Sequence, residues 1–223
     1  DFESILNQSG LLKLQQYQDY DPRYVHGLVN HFEQRNEDGN YTNYSATLVP
    51  QVWRLTQRQD CRIFQQLKVQ DIIDKVLQEA GIPSDFYRFD LMKSHEKREY
   101  CVQYRETDWN FISRLLEEEG IFGYFEHSES KHTFVMPDHS YSHPPIPSPD
   151  SVIFHNQTGY AANEEHLYFF HYAERLSSGK VTLRDFNFKR PSMDLEVNKT
   201  ADKEPQLEVY DYPGLYEYEG PGQ

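Results

Sequence analysis

Apolar positions recur at two periods along the chain, and the periods separate helical from extended stretches. Val69, Ile72, Ile73, Val76, Leu77 and Ala80 keep the spacing of one helix face, which predicts a helix over residues 67–81. Gly81 supplies its stop, and Pro83 prevents it from resuming. A second helix is predicted over residues 108–119, with Ile112, Leu115 and Leu116 on one side and Trp109 a turn earlier. Thr107 sits where an N-cap belongs, Asp108 places a carboxylate in the first turn, and Gly120 marks the end. The last turn breaks a local rule. Glu117, Glu118 and Glu119 crowd the negative end of the helix dipole, where each exposed carboxylate costs about 0.3–1 kcal/mol. A rule broken without local gain often marks an interaction or a function.

Elsewhere the pattern alternates. Val25–Phe32 and Tyr41–Val49 are predicted strands of a hairpin turning at Asp38-Gly39, with Tyr44, Ala46 and Leu48 on one face. Phe86–Leu91 and Tyr100–Tyr104 are short predicted strands, and Ile121–Glu126 and Thr133–Met136 form a hairpin around Ser128–Lys131. Residues 137–151 form a loop and the best internal boundary, since Pro137, Pro144, Pro145, Pro147 and Pro149 do not suit a central strand or a helix interior. Beyond it the chain is β in character. Glu165–Leu176 and Val181–Phe188 are predicted to pair as a hairpin around Ser177–Lys180. Leu167 and Phe169 point one way, and Tyr168, Phe170 and Tyr172 the other. Such a strand is covered on both faces, and in a small β domain the second cover is often another chain. Tyr210–Gly214 is predicted as a type II turn with Pro213 and Gly214 at its centre, and Tyr216–Gln223 as a linker.

Composition narrows the function classes. Apolar residues make up 37% and aromatics 15%, with 17 Tyr and 14 Phe, which suits half-buried surfaces and interfaces. A net charge of −14 argues against a nucleic-acid backbone or an anionic membrane as partner. Cys61 and Cys101 make no framework and are expected as reduced, half-buried thiols. No apolar run is long enough to span a membrane, and Asp1-Phe-Glu-Ser is not the start of a signal peptide.

The candidate chemistry is thin. His127, His132, Asp138, His139 and His143 fall close together and offer a Zn²⁺ set, but at no known metal-ligand spacing. His95–Glu99 begins like HExxH and then places Glu99 where the second His belongs, so it is expected to be a solvated polar turn. A glycosidase pair fails on distance, because Asp108 and Glu119 stand at opposite ends of one helix, about 16 Å apart at 1.5 Å per residue. Arg105 and Arg114 are placed to neutralise these carboxylates or those of a neighbouring subunit. There is no nucleophile elbow, no dinucleotide fingerprint and no P-loop, and no cofactor is expected.

One set of motifs carries a resemblance. Tyr104-Arg-Glu-Thr-Asp-Trp-Asn-Phe-Ile-Ser-Arg-Leu-Leu-Glu-Glu-Glu-Gly-Ile121 resembles the hallmark of VgrG proteins, the spike components of bacterial type VI secretion. Its motif positions are Arg105, Glu106, Thr107, Asp108, Trp109, Phe111, Arg114, Leu115, Glu118, Glu119 and Gly120. Flanking pieces agree in order: Val49-Pro50, Trp53-Arg-Leu55, Arg62-Ile-Phe-Gln65, Arg184-Asp-Phe-Asn-Phe188 and the turn Asp211-Tyr212-Pro213-Gly214. At Gly123 the chain departs from the family, which usually carries an aromatic residue there.

The resemblance implies an α+β, mainly β, baseplate-hub-like fold with two β-barrel-like domains around a helix-containing middle. Residues 1–59 would belong to the first barrel, 60–148 to the middle and 149–223 to the second barrel and the exit toward a neck and needle outside this sequence. It further implies a homotrimer that adapts the hexameric Hcp tube to the needle, contacts baseplate proteins, and carries effectors and a PAAR tip through other parts. The motif residues would be structural, with no catalytic site, metal or cofactor. Assembly would take place in the bacterial cytoplasm, followed by secretion. The alternatives are a hub of a phage tail or other contractile injection system, a metal-dependent hydrolase built on His127–His143, and a monomeric glycan-binding module using its tyrosines.

Overall fold

The structure, a computed structural model, describes residues 2–15, 21–39, 41–143, 153–155, 166–214 and 216. The chain forms two compact units, Asp1–Pro145 and Ile146–Gln223.

In the first unit, β1 (Ser9–Leu14), β2 (Arg23–Asp38) and β3 (Tyr41–Val49) form an antiparallel sheet with β2 in the middle. The hairpin is the expected one, and β2 runs further than the alternation suggested, up to the turn where Gly39 has φ +60°. A 3₁₀ turn, Gln51–Gln57, leads into β4 (Gln59–Lys68), α1 (Val69–Glu79), β5 (Tyr87–Asp90), β6 (Lys97–Thr107), α2 (Asp108–Glu118), β7 (Tyr124–His127) and β8 (His132–Pro137). β4 pairs with β6, while β8 lies between β5, parallel to it, and β7, antiparallel to it.

The core lies between these elements. The predicted apolar faces of both helices, including Ile72, Ile73, Val76, Leu77, Ile112 and Leu115, are fully buried. They pack with Phe64 and Cys101 from the β4–β6 pair and with Phe134 and Met136 from β8. Each such side chain withdrawn from water contributes about 1.5–3 kcal/mol. α1 ends as expected at Gly81, φ +72°. Cys61 is exposed and Cys101 buried, so neither thiol is the half-buried one expected; both are free.

Pro137 is also placed differently. It is the last residue of the central strand β8, opposite Asp90, and its carbonyl accepts from Phe122 N at 3.0 Å. A strand end has no need of the N–H that proline lacks. Pro144, Pro145, Pro147 and Pro149 lie outside the described residues.

In the second unit, β9 (Ile153–Phe154) and β10 (His166–Leu167) pair in parallel, and β11 (Lys180–Asp185) lies between β12 (Leu195–Thr200), antiparallel, and β13 (Glu208–Asp211), parallel. The predicted hairpin of 165–176 with 181–188 does not form. Among the described residues, which leave out Glu165, β11 takes β12 and β13 instead, and residues 168–178 join no ladder. Turn chemistry at Ser177–Lys180 specifies a bend but not the partner, and the two longer-range pairings win. Among the described residues each sheet has two or three strands. The mainly β character with two α-helices is as the sequence implies.

Candidate functional site

The acids of the α2 motif look uncompensated in the sequence, and the structure supplies partners for Glu106, Asp108, Glu118 and Glu119. Thr107 caps the helix, its hydroxyl accepting from Asn110 N at 3.1 Å. Asp108 is more than a first-turn acid. Its carboxylate has no solvent exposure and is held by three side chains: Arg58 Nε at 2.9 Å, Arg62 Nη2 at 2.5 Å and Gln103 Nε2 at 2.8 Å. Its own N–H donates to Arg58 O at 2.9 Å. Arg62 also binds Gln103 Oε1 and reaches Glu79 at the end of α1. One buried carboxylate therefore ties the entry of α2 to β4, β6 and α1.

At the other end of α2, Arg98 on β6 donates to Glu118 at 2.5 Å and to Glu119 at 2.7 Å. Arg114 bridges Glu106 at 2.8 Å and Glu118 at 3.1 Å. Burial opposes ionisation of Glu119, but hydrogen bonds from Arg98 and His95 outweigh it and hold its pKa below the usual carboxylate value. Of the two arginines expected to neutralise this end, Arg114 does so. Arg105 has φ +51° and lies over the Tyr104 ring instead. Arg98, on the strand that precedes the helix, reaches both Glu118 and Glu119, a partnership that no local sequence signal announces.

His95 is not in a solvated turn. It is buried, with Nδ1 2.8 Å from Glu119 and Nε2 3.4 Å from Asp138. Asp138 is thereby separated from the histidine stretch, and its carboxylate also accepts from Met92 N and Lys93 N, both at 2.8 Å. Burial raises the Asp138 pKa, and these backbone and His95 hydrogen bonds more than reverse the effect.

The remaining motif side chains are packing. Phe111 stacks on Phe64 at 5.6 Å, Trp109 meets Phe134, and Leu115 is fully buried. Gly120 follows α2 at φ +67°, the left-handed conformation that favours glycine. Gly123 has a steric reason: a Cβ there would lie 2.5 Å from the Phe134 ring, which occupies the space. The Asp211–Gly214 motif belongs to the second unit, where Asp211 closes β13 and accepts from Tyr212 N at 2.9 Å. Tyr210–Gly214 is not the expected type II turn: Gly214 lacks the left-handed φ that such a turn requires, and its N–H donates to Arg184 O at 2.9 Å.

The histidines do not assemble as a metal set. His127 and His132 meet His26 of β2, His139 lies 3.5 Å from Asp90, and His143 packs on Phe122 and Tyr124. Among the described residues no group of three or more His, Cys, Asp or Glu side chains is placed to hold a metal.

What this arrangement offers is surface. β4 and β6 pair Cys61 with Tyr104, Ile63 with Val102 and Gln65 with Tyr100, so these side chains share the face turned away from the core. Ile63 is 68% exposed and Tyr104 66%, a contiguous apolar stripe over a rigid, ion-paired base. In the second unit, Tyr168, Phe169, Phe170 and Tyr172 are likewise exposed, on a segment that joins no ladder among the described residues.

These features fit a scaffold, and the comparisons agree. A family model described as phage tail baseplate hub (GPD) matches residues 1–223. The chain belongs to the phage tail baseplate hub family. Among curated relatives, it is 40% identical over 197 residues to the type VI secretion system spike protein VgrG1b of Pseudomonas aeruginosa, covering 87% of this chain and 26% of that protein. VgrG2b of the same organism is 36% identical over 228 residues, covering 100% and 22%. The chain thus spans about a quarter of the length of these relatives. Among solved structures, it is similar to the Escherichia coli c3393 protein, with a TM-score of 0.59 and 26% identity over 68% of this chain and 40% of that one. That protein is described as a component of the type VI secretion system with structural similarity to the T4 bacteriophage tail proteins gp27 and gp5. A tail protein from Neisseria meningitidis shares the fold, with a TM-score of 0.57 at 14% identity over 85% of this chain and 56% of that one. The hub family is one of structural spike and tail components.

Proposed function

We propose that this chain is the hub segment of a type VI secretion spike. Three copies form a ring whose pseudo-sixfold face adapts the hexameric Hcp tube to a needle carried by the rest of the protein. The segment acts mechanically, without an active site. The motif residues from Arg105 to Gly120, and Asp211 to Gly214, are structural. Residues 1–59, 60–148 and 149–223 serve as first barrel, middle and second barrel. Effectors, the PAAR tip and baseplate proteins engage the assembled spike, which forms in the cytoplasm and is then secreted. The observation that carries this reading is the hub family's match to residues 1–223, with a VgrG relative 40% identical over 197 residues. The exposed β4–β6 stripe and the aromatic 168–172 segment support it, as surfaces an assembly would cover. A phage-tail hub is the second reading, favoured by the Neisseria tail protein's shared fold.

Absolute mass by light scattering over a concentration series tests the proposal, run on this segment and on a longer version with its needle. A species near three times 26.5 kDa for the segment, or a stable trimer of the longer version that then binds Hcp hexamers, is the expected result. Strict monomers in both overturn the spike reading.

A further inference from the structure

The three histidines that come together have a role outside any metal chemistry. His26 of β2 meets His127 and His132 of β7 and β8 across 101 and 106 residues of sequence. Hydrogen-bond direction fixes where each proton sits. Gln51 N–H donates to His132 Nε2 at 2.8 Å, so the neutral ring carries its proton on Nδ1. That Nδ1 lies 3.0 Å from His26 Nδ1, which must accept. His26 then keeps its proton on Nε2, which donates to Ser9 Oγ at 2.8 Å. The backbone N–H of His26 donates to His127 Nδ1 at 3.2 Å, so that nitrogen too is bare. The whole chain of bonds requires three neutral rings. A second proton on His132 would turn Nε2 toward the Gln51 N–H. On His26 it would set two Nδ1–H groups face to face, and on His127 it would oppose the His26 N–H.

We propose that His26, His127 and His132 form an acid-released latch that fastens the β1–β3 sheet to β7, β8 and the Gln51–Gln57 turn. The bonds from Ser9, His26 and Gln51 join three chain segments at one point, and His26 and His132 are buried there. Three acids of the surrounding elements are paired with cations. Glu126, beside His127 on β7, is bound by Arg88 of β5 at 2.6 Å. Asp85, on the turn before β5, lies 3.9 Å from Lys131. Glu33 of β2 pairs with Arg35, β1 contributes the uncharged Ser9 and a lysine, Lys13, that lies over the Tyr24 ring, and Arg54 is the cation of the Gln51–Gln57 turn. Phe86 and Phe125 pack edge-on against His132, so apolar rings meet an imidazolium that would need a carboxylate. Burial, reinforced by mutual repulsion among the rings, lowers the His26 pKa and brings His132 to about 4. The helices α1 and α2 take no part in the network, so its loss frees one sheet and not the core.

Two readouts on the intact chain test the latch. Long-range ¹H–¹⁵N spectra at pH 7.5 should show His132 protonated on Nδ1 and His26 on Nε2. Amide exchange, corrected for intrinsic pH dependence, should speed up at least tenfold in β1–β3 between pH 7.5 and 5 while α1 and α2 stay protected. The variant H26Q/H132Q, whose amides mimic the neutral rings, should flatten that dependence. The opposite tautomers overturn the proposal. So does pH-independent protection of β1–β3, or a sheet and helices that open together. If the double variant fails to fold, the tautomers and exchange of the unmodified chain still decide.

Discussion

A carboxylate with no access to water must be neutralised by its neighbours, and Asp108 has two guanidinium groups and an amide within 2.9 Å. Removing one partner of such a buried set leaves the others uncompensated, which typically costs about 3–5 kcal/mol. Asp108→Asn is therefore expected to lower the unfolding free energy by about that much, read from urea denaturation. Glu117, in the same helix but exposed, gives the contrast. Glu117→Gln removes a charge from the negative helix end and should be neutral or stabilising by up to about 1 kcal/mol. Near-equal effects from the two variants would refute the network as the reason for the acid at Asp108. The sequence shows both acids equally well. Only Asp108 is met by Arg58, Arg62 and Gln103, and no local signal announces arginines that lie 50 and 46 residues away.

At the scale of elements, two glycines after α2 serve for different reasons and should respond differently. Gly120 has open space where a Cβ would go, so Gly120→Ala costs only the left-handed backbone, about 1–2 kcal/mol. Gly123→Ala drives a methyl group into the buried Phe134 ring, and overpacking of this kind costs about 1–3 kcal/mol. Thermal unfolding gives the losses, and the near-ultraviolet aromatic spectrum should change for Gly123→Ala but not for Gly120→Ala. An unchanged aromatic signal in both would sink the explanation of Gly123. The helices and the first hairpin were legible because caps, stops and periodicity lie within a few residues of what they control. The partner of β11 was not, because Ser177–Lys180 specifies a bend and the choice of β12 and β13 rests on contacts far along the chain.

For the whole molecule, acid should act in two stages. His132 has its folded pKa lowered from 6.5 to about 4. Between those values the unfolded chain takes up a proton that the folded chain refuses. Its stabilisation is thus complete above pH 6.5 and falls as pH drops toward 4, by about 1.4 kcal/mol per pH unit per proton. The carboxylates follow. Glu119, Glu126 and Asp138 are depressed, so their contribution is present above their ordinary values of 4.5, 4.5 and 3.8 and is lost as pH falls further. Urea unfolding from pH 8 to 3 should show decline beginning near pH 6.5. A curve flat down to pH 4.5 would remove the histidines from the account.

The sequence by itself determined the helices with their caps and stops, the first hairpin, the mainly β character and the membership in the hub family. These rest on local spacing and on motifs read in order. Tertiary structure alone decided that the acids of α2 are clasped by Arg58, Arg62 and Arg98, that His26 joins His127 and His132, and that β11 takes β12 and β13. It also turned the outer sides of Ile63, Val102, Tyr100 and Tyr104 to solvent as one stripe. The physical reason is range. Backbone propensity and capping act within a turn or two of the chain, whereas charge pairing, ring stacking and strand choice depend on which distant segments the core brings into contact.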